Sequence, residues 1–328
     1  SPSLQAIRSA AAAAREPATT RVTAILVTYE SRADVADALR SIDRAFAVPA
    51  IRGDIIVVDN ASSDGTPDWI RTERPDVALI LAPANEGFGR ACNRAFETAS
   101  GDVWLLVNPD ARLEPDAVAV LAAELERRPR VAAIGPTLAR AGEAESAGML
   151  PGAASGAGHF LLLNRLPRFG ARGSWRGFQL RRQPIGQLIP VDWVSAAVVA
   201  LRPAAIRAVG GFNPAFFLYG EDIDLCARLR GAGWSIGLST ATRADHAIGA
   251  SSDPRSTRWL DGLDQAMRAN GRGRAARAAF FASVAIGLAV RVAGNAVRRR
   301  SEDRSARLVP SVRRAAALAA RSVAPGHG

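Results

Sequence analysis

The stretch Asp54-Ile-Ile-Val-Val-Asp59, followed directly by Asn60, decides the fold class of this chain. Four consecutive β-branched apolar residues are typical of a strand that is buried on both faces, as in a parallel sheet. The run ends in a carboxylate and an amide. Ligands of open α/β sheets bind beyond the carboxyl ends of the strands, so these polar residues mark a candidate ligand site.

The same pattern recurs on both sides of this stretch. Three more segments read as buried strands: Val22–Thr28, Asp76–Leu81 and Asp102–Val107. Segments with helical spacing lie between or after them: Ala33–Phe46, Gly89–Ala99 and Pro115–Arg127. Strands that alternate with helices predict an α/β fold, in which helices flank a mostly parallel sheet.

The second half of the chain has a less regular pattern. Residues 141–190 are rich in Gly, Pro and Arg and have weak periodicity, which favours a long loop or lid over a ligand. The later segments predict a strand, two helices and a short strand in the order Val191–Leu201, Pro203–Val209, Ile223–Arg230 and Ser235–Ser239. We therefore expect a flexible lead at 1–20, an α/β domain at 21–255 and a helical C-terminal region at 256–328.

The composition limits the class of protein. Hydrophobic residues make up 48% of the 328 residues, so a large core is expected and extensive disorder is not. Cys92 and Cys226 have no metal-type spacing and form no disulfide framework, which favours a reducing cytoplasm. The alanine run near the N-terminus is flanked by Arg8 and Arg15 and does not read as a signal peptide.

The positive charge is concentrated near the C-terminus. From Arg268 onward there are thirteen arginines against two acids, an excess equal to the formal net charge of +11 of the whole chain. Such a region suits an anionic membrane surface. The rest of the chain lacks a basic and aromatic stripe, so we do not expect a nucleic-acid partner.

An apolar segment, Ala278–Val297, lies within this basic region and is interrupted by Arg291 and Asn295. Its continuous apolar part, Ala278–Val290, is short for a bilayer span. An interfacial helix with a basic collar is the preferred interpretation. A helix packed on the domain or on a partner and a true span remain alternatives.

Two clusters at predicted strand ends suit a nucleotide and a metal ion. Asp59 can accept hydrogen bonds from a base or ribose, as acids do at strand ends in nucleotide-binding folds. Asp110, in Asn108-Pro-Asp110, offers a carboxylate to Mg²⁺, which completes its shell with water and substrate phosphates. His246 is a candidate metal ligand. An ordinary Asn-Pro turn and a histidine that fills a polar gap in the core are the alternative readings.

A third acidic cluster, Glu221-Asp222-Ile-Asp224, follows a run of aromatic and apolar residues. A carboxylate in an apolar wall can act as a general base toward an acceptor hydroxyl. Acids at a helix start are also favoured by the helix dipole alone, so this second explanation stays open. The loop at 85–90 contributes Asn85 and Arg90 as possible contacts to a nucleotide.

These motifs, taken in order, resemble the family 2 inverting glycosyltransferases of the GT-A fold, and most of all the bacterial branch that uses dTDP-L-rhamnose. The resemblance covers roughly Val22 to Ser252. It is carried by Val27-Thr-Tyr29, Val57-Val-Asp-Asn-Ala-Ser-Ser-Asp-Gly-Thr66, Asn85-Glu-Gly-Phe-Gly-Arg90, Asn108-Pro-Asp110, Gly210-Gly-Phe-Asn213 and Glu221-Asp-Ile-Asp-Leu225.

The resemblance implies a role for each matching position. Asp110 matches the last acid of the family's Asp-x-Asp motif and would bind Mg²⁺ or Mn²⁺, with His246 completing the shell. Asn108 replaces the first acid of that motif. Asp222 matches the catalytic base, with Glu221 beside it. The positions expected to line the donor site are Thr28, Tyr29, Glu30, Asp59, Asn85, Arg90, Asn108 and Trp193.

The implied activity is a single in-line displacement that moves a sugar, L-rhamnose from dTDP-rhamnose, to a hydroxyl with inversion. Resemblance to actinobacterial linker-unit enzymes implies a lipid-linked or polysaccharide acceptor in cell-wall assembly. The enzyme would then be cytoplasmic and peripheral at the inner face of the plasma membrane. Transfer of another sugar from a UDP donor, and a nucleotide-sugar-binding protein without activity, are the alternatives. Homo-oligomerisation stays open.

Overall fold

The computed structural model describes residues 19–139, 147–166, 173–181, 183–246, 256–297 and 302–323. Most of the expected lead at 1–20 lies outside the described residues. Parts of the expected loop at 141–190 and the boundary expected at 255 also lie outside them.

The first half of the chain forms the parallel part of the sheet. Its strands are β1 (Thr20–Thr28), β2 (Ile51–Asp59), β3 (Ala78–Leu81) and β4 (Val103–Val107). The helices between them are α1 (Val35–Phe46), α2 (Thr66–Glu73) and α3 (Phe88–Thr98). Strand β1 pairs in parallel with β2 and β4, and β2 pairs in parallel with β3. The predicted α/β fold with a mostly parallel sheet is confirmed.

The second half extends this sheet and supplies the remaining elements. They are β5 (Ala111–Leu113), α4 (Ala117–Arg127), β6 (Val131–Ala139), β7 (Ala147–Gly148), α5 (Ala153–Phe160), β8 (Leu188–Val191), β9 (Trp193–Val194), β10 (Val198–Leu201), α6 (Pro203–Ala208), α7 (Glu221–Gly231) and β11 (Ser235–His246). The strand order is β3-β2-β1-β4-β10-β6-β11-β5, with β8 beside β11. Strand β10 runs antiparallel to both β4 and β6.

Three segments differ from the sequence-based expectation. Residues 191–201, expected as one strand, divide among β8, β9 and β10, because β9 leaves the main sheet and pairs with β7. The expected loop at 141–190 contains helix α5, whose last residue, Phe160, is buried. Strand β11 continues to His246 because its last residues pair with β6 and β5, and the buried hydroxyls of Thr240 and Thr242 bond to Pro184 O and Asp116 Oδ1.

Helices cover both faces of the sheet. One core lies between the sheet and helices α1 and α4. The other core includes residues of α3, α6 and α7, and of three C-terminal helices: α8 (Arg258–Ala269), α9 (Arg274–Val297) and α10 (Glu302–Val323). Phe280 and Phe281 of α9 are 0% exposed, and burial of each such side chain is worth about 1.5–3 kcal/mol. The C-terminal helices therefore share a core with the sheet.

Helix α9 is the one helix among the described residues that is long and apolar enough to cross a bilayer by length and composition. It packs against α5 and α10. Near its start, Arg277 forms a buried ion pair with Asp264 of α8 at 2.8 Å. Arg314 of α10 pairs with Asp261 of α8. These contacts fix one side of α9 to the domain.

The loop before α7 touches α8 backbone to backbone. A Cβ atom on Gly262 would lie 2.2 Å from the carbonyl oxygen of Tyr219, and one on Gly220 would lie 2.3 Å from the carbonyl oxygen of Gly262. Contacts this close exclude any side chain. Tyr219 itself has φ 71°, a strained value for a residue with a side chain.

We expect Gly262→Ala to lower the free energy of unfolding by about 1–3 kcal/mol, because the new methyl group forces this contact apart. Urea denaturation measures the effect. Gly231→Ala, at the end of α7, is the matched control, since a Cβ there meets nothing within 4 Å. Equal stability of the two variants would contradict this description of the contact.

Candidate functional site

The carboxyl ends of β1 and β2 are joined by Asp59. Thr28 Oγ1 donates to Asp59 Oδ2 at 2.9 Å, and Ser62 donates through its backbone N–H to Oδ1 at 2.9 Å and through its hydroxyl to Oδ2 at 2.7 Å. Asp59 is 1% exposed. A carboxylate accepts about four hydrogen bonds, so three internal donors leave one direction for a ligand.

Tyr29 and Glu30 follow Thr28 at the surface of this rim. Tyr29 is 48% exposed, which leaves its ring open to a planar group. Glu30 has φ 50°, and its Oε1 accepts hydrogen bonds from Ser63 N at 2.7 Å and from Ser63 Oγ at 3.0 Å. Glu30 therefore holds the turn after β2 against the turn after β1.

Asn85 belongs to the same rim through Asn60. The Asn60 amide donates to Asn85 Oδ1 at 2.9 Å and accepts from Glu86 N at 3.1 Å. A Cβ on Gly87 would lie 2.2 Å from Phe217 O, and Phe88 N donates to that same oxygen at 3.1 Å. The loop after β3 is thereby fixed to the loop before α7.

Arg90, in α3, makes another contact to the loop before α7. Its Nε donates to Pro214 O at 3.0 Å, and the side chain is exposed. One turn further along, Arg94 forms a bidentate pair with Glu86, with Nε to Oε2 at 2.7 Å. Arg90 therefore has a positioning contact and keeps other guanidinium N–H groups for a ligand.

Asn108, Asp110 and His246 meet at the end of β4. Antiparallel pairing of β5 with β11 places His246 opposite Ala111, directly after Asp110. His246 Nε2 lies 3.1 Å from Asp110 Oδ1 and 3.5 Å from Asn108 Nδ2. His246 Nδ1 is buried without a hydrogen-bond partner among the described residues. The predicted metal residues are thus neighbours, although 136 positions separate Asp110 from His246.

This arrangement suits a divalent cation that the substrate also binds. The described part of the chain has no cluster of three or more His, Cys, Asp or Glu side chains that surrounds a metal ion. Asp110 and His246 offer one carboxylate and one imidazole, whose Nε2 lies 3.1 Å from Asp110 Oδ1. Mg²⁺ and Mn²⁺ sites that include substrate phosphates need only one or two protein ligands.

Asp222 lies at the start of α7 in an apolar wall. Val194, Ala196, Phe212, Leu225 and Cys226 line the small cavity beside it. Burial raises the pKa of Asp222 above its ordinary value, while hydrogen bonds from the backbone N–H groups of Ile223 and Ala196 oppose the rise. A carboxyl with a raised pKa is suited to accept a proton near neutral pH.

Glu221 is more deeply buried than its neighbour. Its side chain is 6% exposed, and Oε2 has no hydrogen-bond partner among the described residues. Burial raises the pKa of Glu221, and the adjacent charge of Asp222 raises it further. Both acids were expected just before the helix, but they are its first two residues, after Gly220 with φ 88°.

Two consecutive residues connect the acid of α7 to the end of β4. Ala196 N donates to the Asp222 carboxylate, and Ala197 O accepts from Asn108 N at 2.8 Å. Asp222 and Asn108 therefore flank one dipeptide between β9 and β10. The described contacts link the predicted residues at the ends of β1, β2 and β4 and at the start of α7 into one rim.

Trp193 was predicted to line the donor site, but it lies in the core and not at this rim. Its ring is 5% exposed, stacks on Phe178 at 5.1 Å between centroids, and donates its only N–H to Phe178 O at 2.9 Å. It belongs to an aromatic cluster with Phe160 and Phe280. Because its polar atom is already used, Trp193 has no hydrogen-bonding group to offer a sugar in this structure.

Ser62 and the Ala196-Ala197 dipeptide were not among the predicted site residues. Ser62 donates to Asp59, Ala196 contacts Asp222, and Ala197 accepts from Asn108. Ser62 lies in the polar turn after β2, so its place was a usable signal. The two alanines gave none, because the contacts that hold the dipeptide use backbone atoms.

Comparison with known proteins gives matches in sequence. The family described as Glycosyl transferase family 2 matches residues 23–187. The N-acetylglucosaminyl-diphospho-decaprenol L-rhamnosyltransferase of Mycobacterium tuberculosis (strain ATCC 25618 / H37Rv) is 32% identical over 247 residues, which cover 71% of this chain and 78% of that protein. A dolichol-phosphate mannosyltransferase of Pyrococcus furiosus is 27% identical over 130 residues, 38% of this chain and 36% of the relative.

Solved structures share the fold. The mannosyltransferase PcManGT from Pyrobaculum calidifontis, in complex with GDP-Man and Mn²⁺, gives a TM-score of 0.56 at 17% identity and covers 92% of this chain and 88% of that one. GalNAc-T7 with UDP, GalNAc and Mn²⁺ gives 0.55 at 12% identity, over 77% of this chain and 48% of that one. Both likenesses concern the GT-A fold.

The raised pKa of Glu221 predicts a pH dependence of stability. A carboxyl whose pKa is higher in the folded protein than in the unfolded chain stabilises the fold at low pH, and this contribution is lost as the pH rises above its ordinary pKa. We expect the free energy of unfolding to fall between about pH 5 and about pH 8, by up to about 1.4 kcal/mol per pH unit for one such group.

Glu221→Gln should remove most of this fall, because the amide stays neutral. Urea denaturation at several pH values checks it. Glu86→Gln is the control: the ion pair with Arg94 lowers the pKa of Glu86, so this variant should keep the fall. A fall of the same size in Glu221→Gln and wild type would contradict the assignment.

Proposed function

The chain belongs to glycosyl transferase family 2 and is a glycosyltransferase. From that premise, we propose that it transfers L-rhamnose from dTDP-L-rhamnose to a hydroxyl of a lipid-linked acceptor, with inversion. The sugar and the acceptor are suggested by the relative that is 32% identical, whose name specifies an L-rhamnosyltransferase and a diphospho-decaprenol-linked N-acetylglucosamine. The observation that carries the proposal is that Asp222 and Asn108 contact the two ends of the Ala196-Ala197 dipeptide, while Asp110 and His246 lie next to Asn108.

Asp222 is the proposed general base. It accepts the proton of the acceptor hydroxyl as that oxygen attacks the anomeric carbon, and the bond from this carbon to the diphosphate breaks. Its apolar wall raises its pKa, which favours proton uptake near neutral pH. Glu221 lies beside it, and burial together with the adjacent charge of Asp222 raises the pKa of Glu221 as well.

The rim formed by Thr28, Tyr29, Glu30 and Asp59 is the proposed nucleotide side of the site. Asp59 keeps the ends of β1 and β2 together and has one acceptor direction left for the base. The exposed ring of Tyr29 can stack on it. Across the rim, Asn85, Arg90 and Asn108 are the proposed contacts to the base and diphosphate.

Asp110 and His246 are the residues that would hold Mg²⁺ or Mn²⁺. The two structural neighbours were solved with Mn²⁺, and the carboxylate–imidazole pair fits such an ion. When bound, the cation stabilises the negative charge of the leaving diphosphate. The protein's own part is to hold Asp110 and His246 side by side through the pairing of β5 with β11.

The location proposed for the enzyme is the cytoplasmic side of the plasma membrane, where a lipid-linked acceptor of cell-wall or polysaccharide assembly is accessible. The basic C-terminal region at 256–328 would attract the chain to anionic lipid. A UDP-sugar remains the alternative donor, because similar strand-end residues serve several donors. A purely sugar-binding role gives no reason for an acid like Asp222 in an apolar wall.

Asp222→Asn is expected to lower the transfer rate by about 10²–10⁴-fold, since it removes the general base without changing the side-chain shape. Product formation with dTDP-L-rhamnose and a lipid-linked acceptor measures the rate, and thermal melting measures folding. Asp224→Asn is the matched control on the same helix. It breaks the 2.8 Å pair with Arg228 and should lower stability but leave turnover per folded molecule largely intact. Normal turnover by Asp222→Asn would remove this residue from the role.

A thermal-shift panel of nucleotide sugars tests the donor and the metal. Binding to the folded state stabilises it by about 2.7 kcal/mol at a hundredfold excess over Kd, so the largest shift should come from dTDP-L-rhamnose with Mg²⁺ or Mn²⁺. EDTA and Asp110→Asn should each reduce this shift. Asp245→Asn is the control, because Asp245 is exposed and adjacent to His246 in the same strand.

Each result in this panel has a defined consequence. A larger shift with a UDP-sugar would replace the proposed donor. A shift with dTDP-L-rhamnose that EDTA leaves unchanged would remove the metal role from Asp110 and His246.

A further inference from the structure

The outer side of α9 is apolar and exposed. Ile286, Ala289, Val290 and Ala293 are all exposed, and their spacing of three, four and seven places them on one helix face. Ile286 is 54% exposed and Val290 is 65% exposed. The opposite side of the helix carries the buried core residues that pack against the domain.

A second apolar segment lies beside this helix face. Leu161, Leu162 and Leu166 follow α5 and are 37%, 40% and 48% exposed. The two segments adjoin because α5 packs on α9: a Cβ on Gly287 would lie 2.3 Å from the carbonyl oxygen of Phe160. We call Leu161, Leu162, Leu166, Ile286 and Val290 the apolar face.

The sequence segments that carry the apolar face are rich in arginine. Residues 147–180 contain four arginines and residues 270–301 contain seven, and neither segment contains Asp or Glu; Glu302 and Asp303 follow the second segment at the start of α10. Arg165 lies within the first segment, and Arg291 directly follows Val290. Burial, and then the positive charge of Arg165, lower the pKa of Arg291, so the two side chains lie near each other.

We propose that the apolar face is a docking surface for an anionic phospholipid bilayer, into whose interface the exposed leucine, isoleucine and valine side chains insert while Arg165 and Arg291 contact lipid phosphates. Apolar side chains with a basic surround are the composition that binds in the interfacial region. The surface lies outside the catalytic rim and includes the segment at 161–166, far in sequence from the basic C-terminal region.

Other occupants fit less well. A membrane span by α9 would have to withdraw Phe280, Phe281 and Leu288 from the core that they share with the domain. A second copy of the chain would bring two copies of the same arginine-rich segments together, because a symmetric dimer contact pairs a patch with itself. An anionic bilayer can bury the exposed apolar side chains and can also pair its phosphates with the arginines.

The docking surface is attached to the proposed base through the aromatic cluster. Phe160 lies 6.4 Å from Phe178 between ring centroids, and Phe178 lies 5.1 Å from Trp193. Trp193 is three residues before Ala196, which donates to Asp222. The docked enzyme would therefore hold its proposed base at a fixed position relative to the lipid, where a lipid-linked acceptor lies.

Vesicle sedimentation of the full chain tests the surface. Wild type should sediment with vesicles of phosphatidylcholine and phosphatidylglycerol in equal parts, and much less with phosphatidylcholine alone. The double variant Ile286→Asp and Val290→Asp should bind the anionic vesicles about tenfold more weakly or worse. Ile185→Asp, which places the same charge at a residue that is 87% exposed elsewhere, should bind like wild type.

Leu162→Asp gives an independent check on the second segment and should also weaken sedimentation. Thermal melting with and without dTDP-L-rhamnose establishes that each variant is folded and binds donor, so a failure of the proposed donor does not affect the vesicle result. Undiminished sedimentation of the folded Ile286→Asp and Val290→Asp variant would overturn the proposal. The proposal would also be overturned if the wild-type chain did not sediment with anionic vesicles. It would likewise be overturned if ultracentrifugation showed that the chain forms a dimer through this face instead.

Discussion

Two backbone hydrogen bonds at Ala196–Ala197 join the proposed base to the end of β4. On one side, Ala197 O accepts from Asn108 N, and on the other, Ala196 N donates to the carboxylate of Asp222. The dipeptide is held there because β10 inserts between β4 and β6 and runs against both. A shift of β10 would separate the acid from the end of β4. The geometry of the candidate site thus depends on strand register, and Ala196 also belongs to the apolar wall beside Asp222.

The first half of the fold was predictable because each buried strand is a continuous apolar run with polar residues at its end. Strands β1, β2 and β4 and helices α1 and α3 lie close to their expected bounds. Residues 191–201 were misread because apolar composition persists where the chain leaves one sheet for another, and only pairing partners reveal the break. Strand β11 was cut short because its hydroxyl residues resemble a turn until their partners are known.

The candidate site was predictable to a similar degree. Motif order identified the acids, and the structure brings Asp110 and His246 to 3.1 Å. What the sequence does not reveal is the set of contacts that holds them, since backbone groups and long-range pairs leave no local pattern. Trp193 shows the opposite error: a large aromatic residue near a site belongs here to the core.

The insertion of β10 between two strands made much earlier in the chain has a consequence for synthesis. The polypeptide emerges N-terminus first, so residues up to β6 leave the ribosome before Asp222 and His246 exist. A nascent chain that has assembled β1 to β4 would present the nucleotide side of the cleft with neither the proton acceptor nor the imidazole in place. A chain that ends before residue 222 lacks both the proposed base and His246, so the complete candidate site exists only after the late segment has been made.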